Sequence, residues 1–212
     1  MSTMGPLRRD PAASRDYLVR PDGTPVLLAG SHTWDTIQDF RVSETTPRFD
    51  FPAFVRWLAS RRHGFTRLWR WEYGWWHNDF LGAPQAVDPQ PWRRPQTDGP
   101  RARDGFWRFD LSQLDESYLA RLDDRVGQLE AAGIYCSVML FEGCVSSQFP
   151  GDPWQYHPFA PGNSLQGIGT TAQVFYSLAD PAVLQLQHTY VDAVVRRLNA
   201  HRNLLWEVSN ET

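Results

Sequence analysis

DESYLARLDDRVGQLEAAGIYCSVMLFEG, residues 115–143, decides how the chain is read. Its first half sets Tyr118, Leu119, Leu122, Val126 and Leu129 three and four residues apart, which places them on one stripe of a helix. Asp115 stands where an N-cap belongs, and Gly133 where the backbone must leave the last turn. From Ile134 to Phe141 only Ser137 interrupts the apolar run, too little polarity for a strand with one wet face. A helix that passes within a residue or two into such a strand is a unit of a parallel sheet covered by helices.

The same pattern appears on either side. DFPAFVRWLASRRHG (50–64) carries Phe51, Phe54, Val55 and Leu58 at helical spacing, with Asp50 as N-cap and Gly64 as stop, and FTRLWRWEY follows as a strand. Asp180-Pro181 opens a third helix, an N-cap with proline at the first helical position. That helix carries Leu184, Val191, Val194, Val195 and Leu198 and leads into NLLWEVSNE (203–211). Upstream, RDYLVRPDGTPVLLAG (15–30) reads as two short strands around Pro21-Asp22-Gly23, the second running from Val26 to Ala29 into GSHTWD. The order is β-α-β-α-β-α-β. Helices return to strands within a few residues, whereas two strand-to-helix connections run to roughly 40 residues against a usual 2–6. The elaboration therefore sits at the C-terminal ends of the strands, where α/β enzymes place their sites. The expected fold is α/β: a (β/α)8 TIM barrel of which this chain holds the first four βα units, with an N-terminal β-hairpin. Residues 1–15 are expected to be loosely ordered and 16–212 to form the partial catalytic domain.

Composition narrows the chemistry. The 212 residues are 42% hydrophobic and 21% charged, the balance of a globular domain with one sizeable core. A net charge of −3 with interspersed signs offers no basic face to nucleic acid or to an anionic membrane. All 21 basic residues are Arg, so no lysine is present for Schiff-base chemistry or a P-loop. Cys136 and Cys144 are too few for a disulfide framework and lack zinc-ligand spacing, and His32, Glu72 and His157 are too scattered for a metal site. No cofactor is expected. There is no Gly-x-Ser-x-Gly elbow and no Gly-rich dinucleotide fingerprint. The N-terminus lacks an apolar leader and no apolar run is long enough to span a bilayer, which suggests a cytoplasmic location.

The strand ends carry a consistent set: His32, Trp34 and Asp35 after the first; Arg67, Trp69, Arg70, Trp71 and Glu72 on the second; Glu142 after the third; Asn210 and Glu211 after the fourth. Asn and Glu closing an apolar strand need a partner or a purpose, since both are costly to bury alone. Carboxyls, an arginine, a histidine and indoles on one rim suit acid–base chemistry on an uncharged polyol. Arg67 and Arg70 exchange places if the strand bulges. Trp71, Trp75 and Trp76 serve either as packing or as sugar platforms. His157, in a long loop, is placed to reach the cleft.

EVSNE at the end of that strand resembles the Asn-Glu signature of the clan A glycoside hydrolases, which include the family 5 cellulases and mannanases. FTRLW resembles the clan's second-strand Arg-Leu segment. GSHTWD, RLWRWE, GIYCSVMLFEG and HPF, in this order before WEVSNE, look like a subgroup of uncharacterised cellulase-like hydrolases. The resemblance implies that Glu211 is the general acid/base of a retaining double displacement on β-linked glycosides. It further implies that Asn210 bonds the sugar 2-hydroxyl and that Arg67 matches the arginine that keeps the nucleophile ionised. The nucleophile itself would come from a seventh strand outside this chain, which alone is then expected to be inactive. His32, Trp34, Asp35, Trp71, Glu72, Glu142 and His157 are the expected substrate-binding residues. The expected partner is an oligosaccharide or glycoside; the alternative is a non-catalytic carbohydrate-binding barrel module.

Overall fold

The computed structural model describes residues 4–76, 85–96, 98–143 and 152–210. Arg8–Arg9 (β1), Leu18–Val19 (β2) and Pro25–Val26 (β3) form a small antiparallel sheet in the order β1-β2-β3. The hairpin between β2 and β3 closes as its sequence requires. Gly23 takes φ +84°, Arg20 N–H donates to Thr24 O at 2.9 Å, and the Asp22 carboxylate accepts from Thr24 N–H at 3.0 Å. The N-terminal segment is tied down further, because the Tyr135 hydroxyl donates to Gly5 O at 3.0 Å.

Asp39–Arg41 (β4) precedes helix α1, Phe51–Ser60, whose N-cap Asp50 accepts from Ala53 N–H. Phe65–Leu68 (β5) follows. Four further strands follow among the described residues: Trp75–Trp76 (β6), Gln85–Asp88 (β7), Trp92–Arg93 (β8) and Asp110–Leu114 (β9). Helix α2, Glu116–Ala131, capped by Asp115, leads through Gly133 at φ +74° into Tyr135–Phe141 (β10). A 3₁₀ turn at Pro153–Tyr156, the short helix Ala172–Phe175 (α3), helix Pro181–Leu198 (α4) and strand Leu204–Ser209 (β11) complete the chain. Asp180 caps α4 by accepting from Ala182 and Val183 N–H, as the Asp-Pro pair predicts.

The parallel sheet has three strands, in the order β11-β10-β5, with Ser137 opposite Arg67 and Met139 opposite Glu207. Helix α2 packs on β10 and touches both α1 and α4. The core joins Val55 and Leu58 of α1, Leu122, Val126 and Leu129 of α2, Val194 and Leu198 of α4, and Leu68 and Val138 of the sheet. Each such side chain contributes about 1.5–3 kcal/mol by leaving water. On α4 the buried stripe is Val183, Tyr190, Val194 and Leu198. Leu184, Val191 and Val195, expected on that stripe, are half-buried beside it.

The expected first half of a (β/α)8 barrel is not what the chain builds. Eight of the eleven described strands lie in three small antiparallel sheets, β1-β2-β3, β4-β7-β6 and β8-β9, and no barrel closes among the described residues. The stretch expected as the first parallel strand starts instead as β3, antiparallel to β2. Beyond it the chain runs beside β5 through scattered bonds. Gly64 N–H donates to Ala29 O at 3.0 Å and the Thr66 hydroxyl to Ser31 O at 2.8 Å. Trp69 N–H donates to Thr36 Oγ1 and Trp71 N–H to Gln38 Oε1, each at 2.6 Å. Side chains have taken the donors that a strand ladder would need, so β5 stops at Leu68 although the sequence stays apolar. The long connection after β5, expected as a loop, supplies antiparallel strands of its own, whereas the described part of the one after β10 holds a 3₁₀ turn and the short helix α3.

Candidate functional site

Alternate residues of the parallel strands share one face, and on it Arg67, Ser137, Met139 and Glu207 meet. Arg67 grips the Glu207 carboxylate with both arms of its fork: Nε donates to Oε2 at 3.0 Å and Nη2 makes a shorter bond to Oε1. The same Nη2 donates to Asn210 Oδ1 at 3.0 Å and lies 3.8 Å from Met139 Sδ. Ser137 Oγ donates to Glu207 at 3.3 Å. The Asn210 backbone N–H bonds Phe141 O at 3.1 Å, continuing the ladder one residue past β11. Asn210 Nδ2 is buried and has no hydrogen-bond partner among the described residues. The side chains of Arg67 and Glu207 remain 26% and 21% exposed.

Trp69 forms its wall. The Arg67 guanidinium carbon sits 4.6 Å from the indole centroid, and His32 stacks on the same indole at 5.5 Å with 4° between the planes. Burial, and then the positive Arg67, hold the His32 imidazole below its ordinary range, so it is neutral near pH 7.

A second network centres on a buried carboxylate. Glu72 is 0% exposed and receives the Tyr176 hydroxyl at 2.6 Å and Glu142 N–H at 2.8 Å, with Arg70 Nη1 at 3.4 Å and His157 Nε2 at 3.7 Å. Burial pushes this carboxyl up, but Arg70 together with His157 and Tyr176 outweighs it and holds it at about 2. Arg70 also bonds Leu140 O and lies 4.2 Å over the Tyr190 ring. His157 Nδ1 accepts Phe159 N–H at 3.1 Å, which puts the proton of the neutral ring on Nε2, facing Glu72. Burial lowers the affinity of this imidazole for a second proton. Glu142 is 1% exposed.

The expected site residues thus fall into separate groups. Arg67, Asn210 and His32 come together, with Glu207 and Trp69 completing the cluster. Glu72, Glu142 and His157 belong to the second network. Trp71 is a core residue: it is 4% exposed, its indole N–H bonds Trp34 O at 3.1 Å, and Trp34, itself 43% exposed, meets it edge-on. Trp76 is buried as well, so packing claims most of the tryptophan cluster. Asp35 faces the helices, where Arg125 of α2 donates to its backbone oxygen at 2.8 Å. Burial, then Asp39, raises its carboxyl above the ordinary range. Glu211 lies outside the described residues. Trp206 and Val208, apolar residues of β11, are 40% and 71% exposed.

Glu207 is the residue the sequence reading passed over. A signal was present: in LLWEVSNE the pleat puts Leu205, Glu207 and Ser209 on one face, and a carboxylate in the middle of such a strand demands a cation. Among the described residues no group of three or more His, Cys, Asp or Glu is arranged to hold a metal ion. A cavity of about 250 Å³ lined by Arg41, Gln90, Trp92, Arg94 and Phe106 contains none of the expected site residues. A groove of about 240 Å³ between Phe141, Tyr176, Leu178 and Ser209 adjoins the end of the parallel sheet. No described helix is long and apolar enough to cross a membrane.

Neither a protein-family model nor a curated protein matches the chain. Its fold is similar to that of a crystal structure from Bacteroides vulgatus, provisionally named a glycoside hydrolase, with a TM-score of 0.55 and 17% identity over 99% of the chain. The chain spans about a third of that protein, 32% of its length. At this identity the likeness is one of fold. It lends no support to the narrower placement in clan A, family 5 or a cellulase-like subgroup.

Proposed function

We propose that the chain forms part of the active site of a glycoside hydrolase acting on β-linked glycosides with retention, in which Glu211 is the general acid/base and Asn210 binds the sugar beside the bond that breaks. One observation carries this reading. At the end of β11, directly before a glutamate in the sequence, Asn210 is held by Arg67 through its oxygen and keeps a buried amide donor with no described partner. A fixed donor next to a carboxyl suits a sugar hydroxyl next to a leaving oxygen. The fold similarity to a provisionally named glycoside hydrolase supports the same reading.

In the first step a carboxylate attacks the anomeric carbon while Glu211 gives its proton to the departing oxygen, leaving a glycosyl–enzyme ester. In the second, Glu211 takes a proton from water as that water displaces the ester. The attacking carboxylate must stand about 5–5.5 Å from the acid. Glu72 and Glu142 are enclosed and Glu207 is gripped by Arg67, so we assign that group to a residue outside these 212.

The test is hydrolysis of aryl β-glycosides of graded leaving-group ability by the full-length protein. Glu211→Gln should lower kcat/KM by about 10²–10⁴-fold on poor leaving groups, which need the proton, and far less on nitrophenolates, which do not. Equal rates for the variant and the parent would remove Glu211 from the chemistry. Saccharide binding without turnover by the parent would favour a carbohydrate-binding module instead.

A further inference from the structure

We infer that Glu207 is a positioning residue: by anchoring the Arg67 fork it fixes which end of the Asn210 amide faces the ligand. An asparagine side chain offers an acceptor at one end and two donors at the other, and the two ends have nearly the same shape. Left to itself, the amide at the end of β11 could present either. A guanidinium has donors only, so Arg67 Nη2, at 3.0 Å, can be met only by Oδ1. Nδ2 then points away from Arg67, as a donor without a described partner.

Arg67 can play this part only if it is itself held. Its Nε and Nη2 are both bound to Glu207, whose Oε2 also receives Ser137 Oγ, and its guanidinium rests against Trp69. Glu207 is therefore the fixed point of a chain that runs from carboxylate to guanidinium to amide across strands that lie 140 residues apart in sequence. Without its charge the guanidinium keeps one good acceptor fewer and swings on its long stem, and the amide loses its reason to prefer one orientation. The ligand group selected is an acceptor, a sugar hydroxyl oxygen if the glycosidase reading holds.

Two measurements on the full-length protein test the inference. The side-chain NH₂ signals that vanish in Asn210→Ala identify Asn210 in an ¹⁵N spectrum. They should be a sharp pair in the parent and broadened by rotamer exchange in Glu207→Gln, with the rest of the spectrum retained. An Asn210 pair that stays sharp and unshifted in Glu207→Gln overturns the inference. The second measurement, which rests on the glycosidase reading, compares an aryl β-glycoside with its 2-deoxy counterpart. Glu207→Gln and Asn210→Ala should each lower kcat/KM by about tenfold on the hydroxylated substrate and by about twofold or less on the deoxy one. The double variant should lose no more than Asn210→Ala alone. Equal losses on both substrates would make Glu207 a mere strut of the sheet and overturn its positioning role. If the parent cleaves neither substrate, the glycosidase reading falls and the amide spectrum still decides the role of Glu207.

Discussion

Glu72 and His201 load the stability of the molecule from opposite ends of the pH scale. Glu72 is fully buried with its carboxyl held at about 2, below an ordinary value of 4.5. A depressed carboxyl stabilises the fold above the unfolded value, and that contribution disappears as pH falls from about 4.5 towards 2. His201 is bonded on both ring nitrogens, to Glu130 at 2.7 Å and to Asp123 at 2.9 Å, an arrangement that only the imidazolium satisfies with donors on both sides. Burial works against its charge, but the two carboxylates prevail and raise it above 6.5. Its contribution is present below 6.5 and is lost as pH climbs through the raised value. Urea unfolding across pH 2.5 to 9 should therefore give a plateau with two falling limbs. Glu72→Gln should flatten the acid limb, worth a few kcal/mol, and His201→Gln the alkaline one, which is smaller because the ring is partly exposed. An acid limb unchanged by Glu72→Gln would place the titrating group elsewhere. At this scale the sequence was legible where a residue type had a local reason to be there. Asn210 and Arg67 stood out as polar groups on apolar strands, and Arg67 and Arg70, left open as alternatives, meet different carboxylates: Arg67 on β5 meets Glu207, and Arg70, past the end of that strand, meets Glu72.

The elements show how far local signals reach. Asp50, Asp115 and Asp180 all cap the helices they were expected to cap, because a capping bond joins residues two or three apart. The C-terminal end of β5 was not legible, since Thr36 and Gln38, which take the Trp69 and Trp71 backbone donors, come from a different segment. That segment lies so close that a Cβ on Gly30 would stand 1.8 Å from Phe65 O, a backbone atom that cannot yield. Gly30→Ala should therefore force the segment off β5 and cost about 2–3 kcal/mol, read as a lowered urea midpoint. Gly23→Ala is its control: open space surrounds that position and only its positive φ opposes the substitution, at about 1 kcal/mol. Equal stability for Gly30→Ala and the parent would contradict the packing of residues 29–31 on β5.

For the molecule as a whole, a single buried amide ties the parallel sheet to its helix. Asn203 is 0% exposed, and its Nδ2 donates to Ile134 O at 3.0 Å and Val126 O at 3.3 Å while its backbone carbonyl receives Cys136 N–H at 2.8 Å. It joins the end of α2, the start of β10 and the start of β11. Asn203→Ala takes the Nδ2 donor from the buried Ile134 carbonyl and should destabilise by about 2 kcal/mol in equilibrium unfolding, a loss that Asn203→Asp does not restore because a carboxylate cannot donate. The sequence by itself determined the three long helices, their caps and the strand character of residues 135–141 and 204–209, because periodicity and capping are interactions among neighbours. Only the tertiary structure decided that three strands and not four lie parallel, that Trp69, Trp71 and Trp76 pack inward, and that Arg67, Glu207 and Asn210 form one cluster. Those outcomes depend on which donor or acceptor reaches an edge first in space, and partners more than a hundred residues apart leave no periodic trace in the chain.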